Sequence, residues 1–201
     1  MDRGRTIVFI DNSNVFSGQL NAGWRLDARK LKDYLERSGK LWQVFFFASV
    51  TDPPRYQQTG FYEMLRRDLR WEVELFLLGR KTTKCTQCGH VKQVPVEKGV
   101  DVAVATKMLT LAHNRAFDTA VLVSGDKDYL QTVRGVKSLG LRVEIVSWRI
   151  SLSRDLAVES SGPVIYLEDI RAEIERTAPI DQEVEALTTG EPLNGPAAAA
   201  G

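Results

Sequence analysis

The sequence predicts an α/β fold: a mainly parallel sheet covered on both faces by helices. Three observations predict it. Short β-branched apolar runs alternate with stretches of helical periodicity along most of the chain. Those runs are continuous, not alternately apolar and polar, which suits strands buried on both faces. And a chain of 201 residues is long enough for one well-buried domain with little left over for a second.

Taken in order, Thr6 to Ile10 is a buried strand that ends at an acidic residue, Asp11. Leu26 to Ser38 carries Leu26, Leu31, Tyr34 and Leu35 at helical spacing, with Asp27 placed to cap it. Leu41 to Val50 is a second strand, closed by the turn-like Thr51-Asp52-Pro53-Pro54. Arg55 to Leu69 reads as a helix and Trp71 to Leu78 as a third strand. Gly79 to Val96 breaks the rhythm; polar and basic, it predicts an inserted loop or hairpin. Val100 to His113 is a helix, Thr119 to Ser124 a strand, and Tyr129 to Ser138 a helix stopped by Gly140. Leu141 to Ser147, a short helix near Leu152 to Glu159 and a last strand at Val164 to Leu167 complete the set. The domain is expected to span 1–177. The remainder, 178–201, lacks periodicity and reads as a flexible tail.

Charge is nearly balanced, Lys+Arg 27 against Asp+Glu 26, so a polyanion must be held by a local basic patch or by metal ions. The first apolar stretch, Ile7 to Ile10, is too short for a secretion signal, and no run reaches the about 18 apolar residues of a membrane span. A soluble, cytoplasmic protein is expected, with no membrane partner.

The placement of the aspartates carries the chemistry. Asp11 follows the first strand, and Asp126 and Asp128 follow the strand that ends at Ser124. In an open parallel sheet, ligands bind beyond the carboxyl ends of strands, where strand order reverses. Asp101 opens a helix that, after a right-handed crossover, begins at the same edge. Each aspartate also has an ordinary reading, as a helix cap or first-turn residue. Clustered carboxylates without histidines suit hard ions such as magnesium or manganese. Such ions at a phosphodiester activate water and stabilise the leaving oxygen. Asn14 and Ser124 stand where they can hydrogen-bond a carboxylate or a bound water.

Four strings, IVFIDNSNVF (7–16), KGVDVAVATKML (98–109), FDTAVLVSGDKDY (117–129) and GLRVEIVS (140–147), resemble the NYN-domain branch of the PIN-like nucleases, in its LabA-like bacterial group. The resemblance spans about residues 6 to 170. It implies a three-layer PIN-like fold and a magnesium- or manganese-dependent ribonuclease site. Matched by position, Asp11, Asp101, Asp126 and Asp128 take the acidic metal-binding places, Asn14 that of the motif asparagine and Ser124 that of the motif serine. Two positions depart from the pattern: Lys107 stands where an Asp is expected, and Lys127 where a Gly is commoner. The alternative within the same fold is a non-catalytic RNA-binding or regulatory module. An adhesion-type metal loop fits worse, since Asp11-Asn12-Ser13-Asn14 lacks the second serine. A dinucleotide enzyme would need a glycine-rich turn there.

The inserted segment holds Cys85, Cys88 and His90. These are three of the four ligands that a structural zinc needs, and no second cysteine pair exists. A metal-free knuckle with two free thiols is the favoured reading. Zinc requires a fourth ligand from an acidic side chain, a water or a second chain, which leaves a homo-oligomer open. Arg80, Lys81, Lys84, Lys92 and Lys98 in or beside this segment, with Arg66, Arg67 and Arg70 before it, form the densest positive region. That region suits a phosphate backbone, or simply water. Lys98 and Lys127 are the candidates to steady a scissile phosphate. Trp24, Trp42, Trp71 and Trp148 all read as core or edge packing before stacking platforms, and only Trp24, in a polar context, is a stacking candidate.

Overall fold

The computed structural model describes residues 3–53, 56–84 and 86–177. Its centre is a six-stranded sheet built from β1 (Thr6–Asp11), β2 (Leu41–Val50), β3 (Glu72–Leu77), β6 (Thr119–Val123), β7 (Arg142–Ser147) and β8 (Ile165–Tyr166), in the order β3-β2-β1-β6-β7-β8. Every neighbouring pair is parallel. β4 (Gly79–Lys84) and β5 (Val91–Val96) form a separate antiparallel hairpin, so the inserted segment is the hairpin alternative of the sequence reading. The tail at 178–201 and Cys85 lie outside the described residues.

The alternation of side chains along β1 divides the core. Val8 and Ile10 point to one face, where they meet Val15 of α1 (Asn12–Ala22), Leu31 and Leu35 of α2 (Ala28–Glu36) and Leu65 of α3 (Tyr56–Arg67). Ile7 and Phe9 point to the other, against Val104 and Met108 of α4 (Val100–His113), Val133 and Val136 of α5 (Leu130–Ser138) and Leu156 of α6 (Arg154–Glu159). Helices on both faces of one parallel sheet make the three-layer α/β architecture that the sequence predicts. A short α7 (Arg171–Ile174) closes beside α2.

α1 has no counterpart in the sequence reading. It starts at Asp11, whose carboxylate accepts from the N–H groups of Ser13 and Asn14, and ends at Gly23, left-handed at φ 73. Of the tryptophans read as packing residues, Trp42 departs. Trp24 is buried edge-on against Trp148 at 4.9 Å and is no stacking platform, because packing outweighs its polar neighbours in sequence. Trp42 is 68 % exposed on β2, beside Gln43 at the sheet's margin. Lys107 lies over the Phe45 ring at 5.0 Å and pairs with Glu74 at 2.7 Å, so its charge is spent on the β2–β3 side of the sheet.

Asp27 caps α2 by accepting from Arg29 N at 2.8 Å and Lys30 N at 3.2 Å. Asp27→Ala is therefore expected to lower stability by about 1 kcal/mol, with Asp27→Ser keeping most of it. Urea denaturation of the three proteins reads this directly.

Candidate active site

Strand order reverses between β1 and β6: the chain winds one way from β1 through β2 to β3, and the other way from β6 through β7 to β8. The crevice beyond their carboxyl ends is where such sheets bind ligands. Here it is an open cleft of about 340 Å³ lined by Asp11, Ser13, Asn14, Ser17, Glu97, Val100, Asp101, Asp126 and Asp128.

Asp11 is the buried member, 6 % exposed, and both its oxygens are engaged. One accepts from Ser13 N at 3.0 Å and Asn14 N at 3.3 Å. The other accepts from Ser124 Oγ at 3.3 Å and from the Tyr129 hydroxyl at 3.1 Å. Burial pushes the Asp11 carboxyl above its ordinary pKa, and Glu97 adds to the push; the Asn14 and Ser13 amides and the Tyr129 hydroxyl oppose it. The Tyr129 hydroxyl is itself driven far up by burial and by Asp11, with Asp101 and Asp126 contributing. It therefore stays a proton donor to Asp11 at any biological pH.

Past β6 the chain turns sharply. Gly125 has no room for a side chain, since a Cβ there would meet Ser147 Oγ at 2.4 Å and the Ser151 carbonyl at 2.6 Å. Asn14 staples this turn to α1, its Oδ1 accepting from Gly125 N and from Ser151 Oγ, both at 3.1 Å. Asp126 caps the 3₁₀ turn Lys127–Tyr129 by accepting from Asp128 N at 3.0 Å. The capping role of Asp126 and its place on the cleft coexist. Asp101 sits exposed in the first turn of α4.

Of the residues singled out in the sequence, Asp11, Asn14, Asp101, Asp126 and Asp128 share this cleft, and Ser124 stands behind it. Among the described residues no three His, Cys, Asp or Glu side chains form a ready ligand set for one ion. The aspartates expected to share one cation therefore share a cleft and not a closed cage, an open arrangement that limits repulsion between like charges. Their chemistry is that of hard oxygen donors, with no histidine in the lining, and fits magnesium or manganese. Lys98, Lys127, Arg80, Lys81 and Lys84 are all exposed and none lines the cleft. Cys88 and His90 are exposed between β4 and β5.

Glu97, in sequence only the acid that opposes the basic segment, and Tyr129 are site residues that the sequence does not mark. Each adjoins a motif, Glu97 just ahead of Lys98-Gly99-Val100-Asp101 and Tyr129 just after Asp128, but only the fold brings them to Asp11. Tyr129→Phe removes the hydroxyl bond and leaves that oxygen of Asp11 to Ser124. It should cost about 1.5–3 kcal/mol, the range for hydrogen bonds to a charged group, with urea unfolding as the measure.

The NYN domain model matches residues 5–168. The low amplitude and bright protein LabA of Synechococcus elongatus is 25 % identical over 175 residues, which cover 86 % of this chain and 89 % of that protein. A crystal structure of a protein of unknown function from Vibrio parahaemolyticus superposes with a TM-score of 0.66 at 18 % identity, covering 87 % of this chain and 97 % of that one, and shares the fold. Among the described residues no helix is long and apolar enough to cross a membrane. With the family model spanning the whole sheet and both motif-bearing strands, the chain belongs to the NYN domain family, a nuclease-like family.

Proposed function

We propose that the protein is a metal-dependent ribonuclease that hydrolyses RNA phosphodiester bonds at the β1–β6 cleft. The observation that carries the reading is the gathering of Asp11, Asp101, Asp126 and Asp128 into one cleft at the reversal of strand order. These carboxylates would hold magnesium or manganese, which when bound supplies Lewis-acid stabilisation of the phosphate and an activated water. The chain's own contribution is orientation. Asp11 is fixed by four hydrogen bonds, and Asp126 and Asp128 are held on a capped turn. Lys98 and Lys127 adjoin cleft residues in the chain, and with Arg80, Lys81 and Lys84 of the exposed hairpin they would supply positive charge that offsets the cleft's repulsion of the RNA backbone. Near-neutral overall charge makes this local patch the source of affinity, so binding should weaken as salt rises.

The test is cleavage of labelled single- and double-stranded RNAs by the full chain, with manganese, with magnesium and with chelator. Metal-dependent cleavage supports the reading. RNA binding without cleavage under any divalent ion would make the protein a non-catalytic RNA-binding module.

A further inference from the structure

We propose that Glu97 is a positioning residue that latches the cationic hairpin to the wall of the carboxylate cleft, so that one RNA strand crosses both in a single register. The RNA part rests on the nuclease reading; the latch does not. Glu97 lies between β5 and α4, and one of its carboxylate oxygens accepts hydrogen bonds from two hydroxyls. These are Ser13 Oγ, in the first turn of α1, and Ser49 Oγ of β2, the latter at 2.8 Å. One oxygen thus joins the hairpin's return strand to the helix and the strand beside Asp11.

The hairpin needs such an anchor. Two-stranded ribbons are marginal alone, and among the described residues of this one only Gly79, Val94 and Val96 are even half-buried. Its orientation is therefore decided at its base. There the Lys98 side chain lies in the space that a Cβ on Gly79 would crowd, 3.3 Å from Lys98 Cδ. The next residue, Gly99, is left-handed at φ 83 and has no side chain to restrain the junction with α4. Above the base, Arg80, Lys81, Lys84 and Lys92 are exposed, and among the described residues none of them is ion-paired. The register puts Arg80 and Lys84 on one face of the ribbon and Lys81 and Lys92 on the other, and such a cationic arm helps an adjacent acidic cleft only if its direction is fixed relative to the cleft. A swivelling arm would hold the strand without presenting it.

The test uses the full chain as wild type, Glu97→Gln, Glu97→Ala and the pair Ser13→Ala with Ser49→Ala. Glutamine keeps an oxygen that accepts from both serines and loses only the charge. Hydrogen exchange over 79–96 should quicken by about fivefold or more in Glu97→Ala and in the serine pair, and stay within about twofold of wild type in Glu97→Gln. With single-stranded RNA, the two latch-breaking proteins should show KM raised about tenfold, and glutamine should restore it. Unchanged hairpin exchange in Glu97→Ala overturns the latch. So does a glutamine variant as impaired as alanine beside a wild-type-like serine pair, because Glu97 would then act through its charge. A wild type that cleaves no RNA defeats the nuclease reading alone, and the exchange measurement still decides the latch.

Discussion

Asp126→Asn is expected to remove nearly all manganese-dependent RNA cleavage, a loss on the order of 10³-fold or more, while leaving the fold intact. The amide retains an oxygen that can accept from Asp128 N, so the turn that Asp126 caps survives. What disappears is the negative charge that a hard divalent ion requires. Asp11→Asn should act similarly, and the double variant should lose far less than the product of the single losses, since both residues serve one site. Thermal melts supply an independent reading. Burial raises the Asp11 pKa in the folded chain, so the folded state binds this proton more tightly than the unfolded one. Ionising Asp11 therefore costs stability as pH climbs from the ordinary carboxylate range through the folded value, and the cost persists at neutral pH. Asp11→Asn removes it and should raise the metal-free melting temperature. Manganese should then stabilise wild type by an amount that grows with the logarithm of its concentration above Kd, and leave the double variant unmoved. Equal manganese stabilisation of wild type and double variant would place the ion elsewhere.

Where local chemistry and tertiary context agree, the sequence is easy to read. The strands β1, β2 and β6 are largely apolar runs because both faces of the sheet are covered, and β1 and β6 end at or just before the residues that reach the cleft. Asp11, Asp126 and Asp128 follow from that alone, and Asp101 follows from the handedness of the crossover. The remainder depends on contacts distant in sequence. α1 interrupts its few apolar residues with asparagine, serine and glycine and so shows no stripe; it is helical because Asp11 caps it and because it lies on Trp148. Trp42 is exposed where the sequence suggests packing, whereas Trp24 takes the packing place, against Trp148, over the stacking role its polar neighbours allow. Glu97 lies among basic residues in sequence, and its partners Ser13 and Ser49 are 84 and 48 residues away. Nothing local announces them.

Gly18→Ala should be strongly damaging, although it adds a single methyl group. On helix propensity alone the change should stabilise α1 by about 1 kcal/mol, because alanine is the better helix former. The structure reverses the sign. A Cβ at position 18 would lie 2.0 Å from Trp148 Cδ1 and 2.2 Å from its Nε1. Trp148 has nowhere to go: it is 1 % exposed, donates from Nε1 to the Val15 carbonyl at 3.1 Å, and packs edge-on against Trp24. The helix must lift instead, at a cost at or above the upper end of the about 1–3 kcal/mol typical of overpacking. Lifting α1 also moves Ser13 and Asn14, and with them the amides that hold Asp11 and the staple on Gly125. Cleavage should therefore fall together with stability, which a purely global destabilisation would not produce at temperatures where the chain stays folded. Trp148→Leu frees the space while giving up its own buried contacts, so the double variant should be less destabilised than the sum of the two single changes. Urea unfolding of the four proteins measures that coupling. A Gly18→Ala protein more stable than wild type, as propensity alone requires, would show that α1 does not rest on Trp148 in this way.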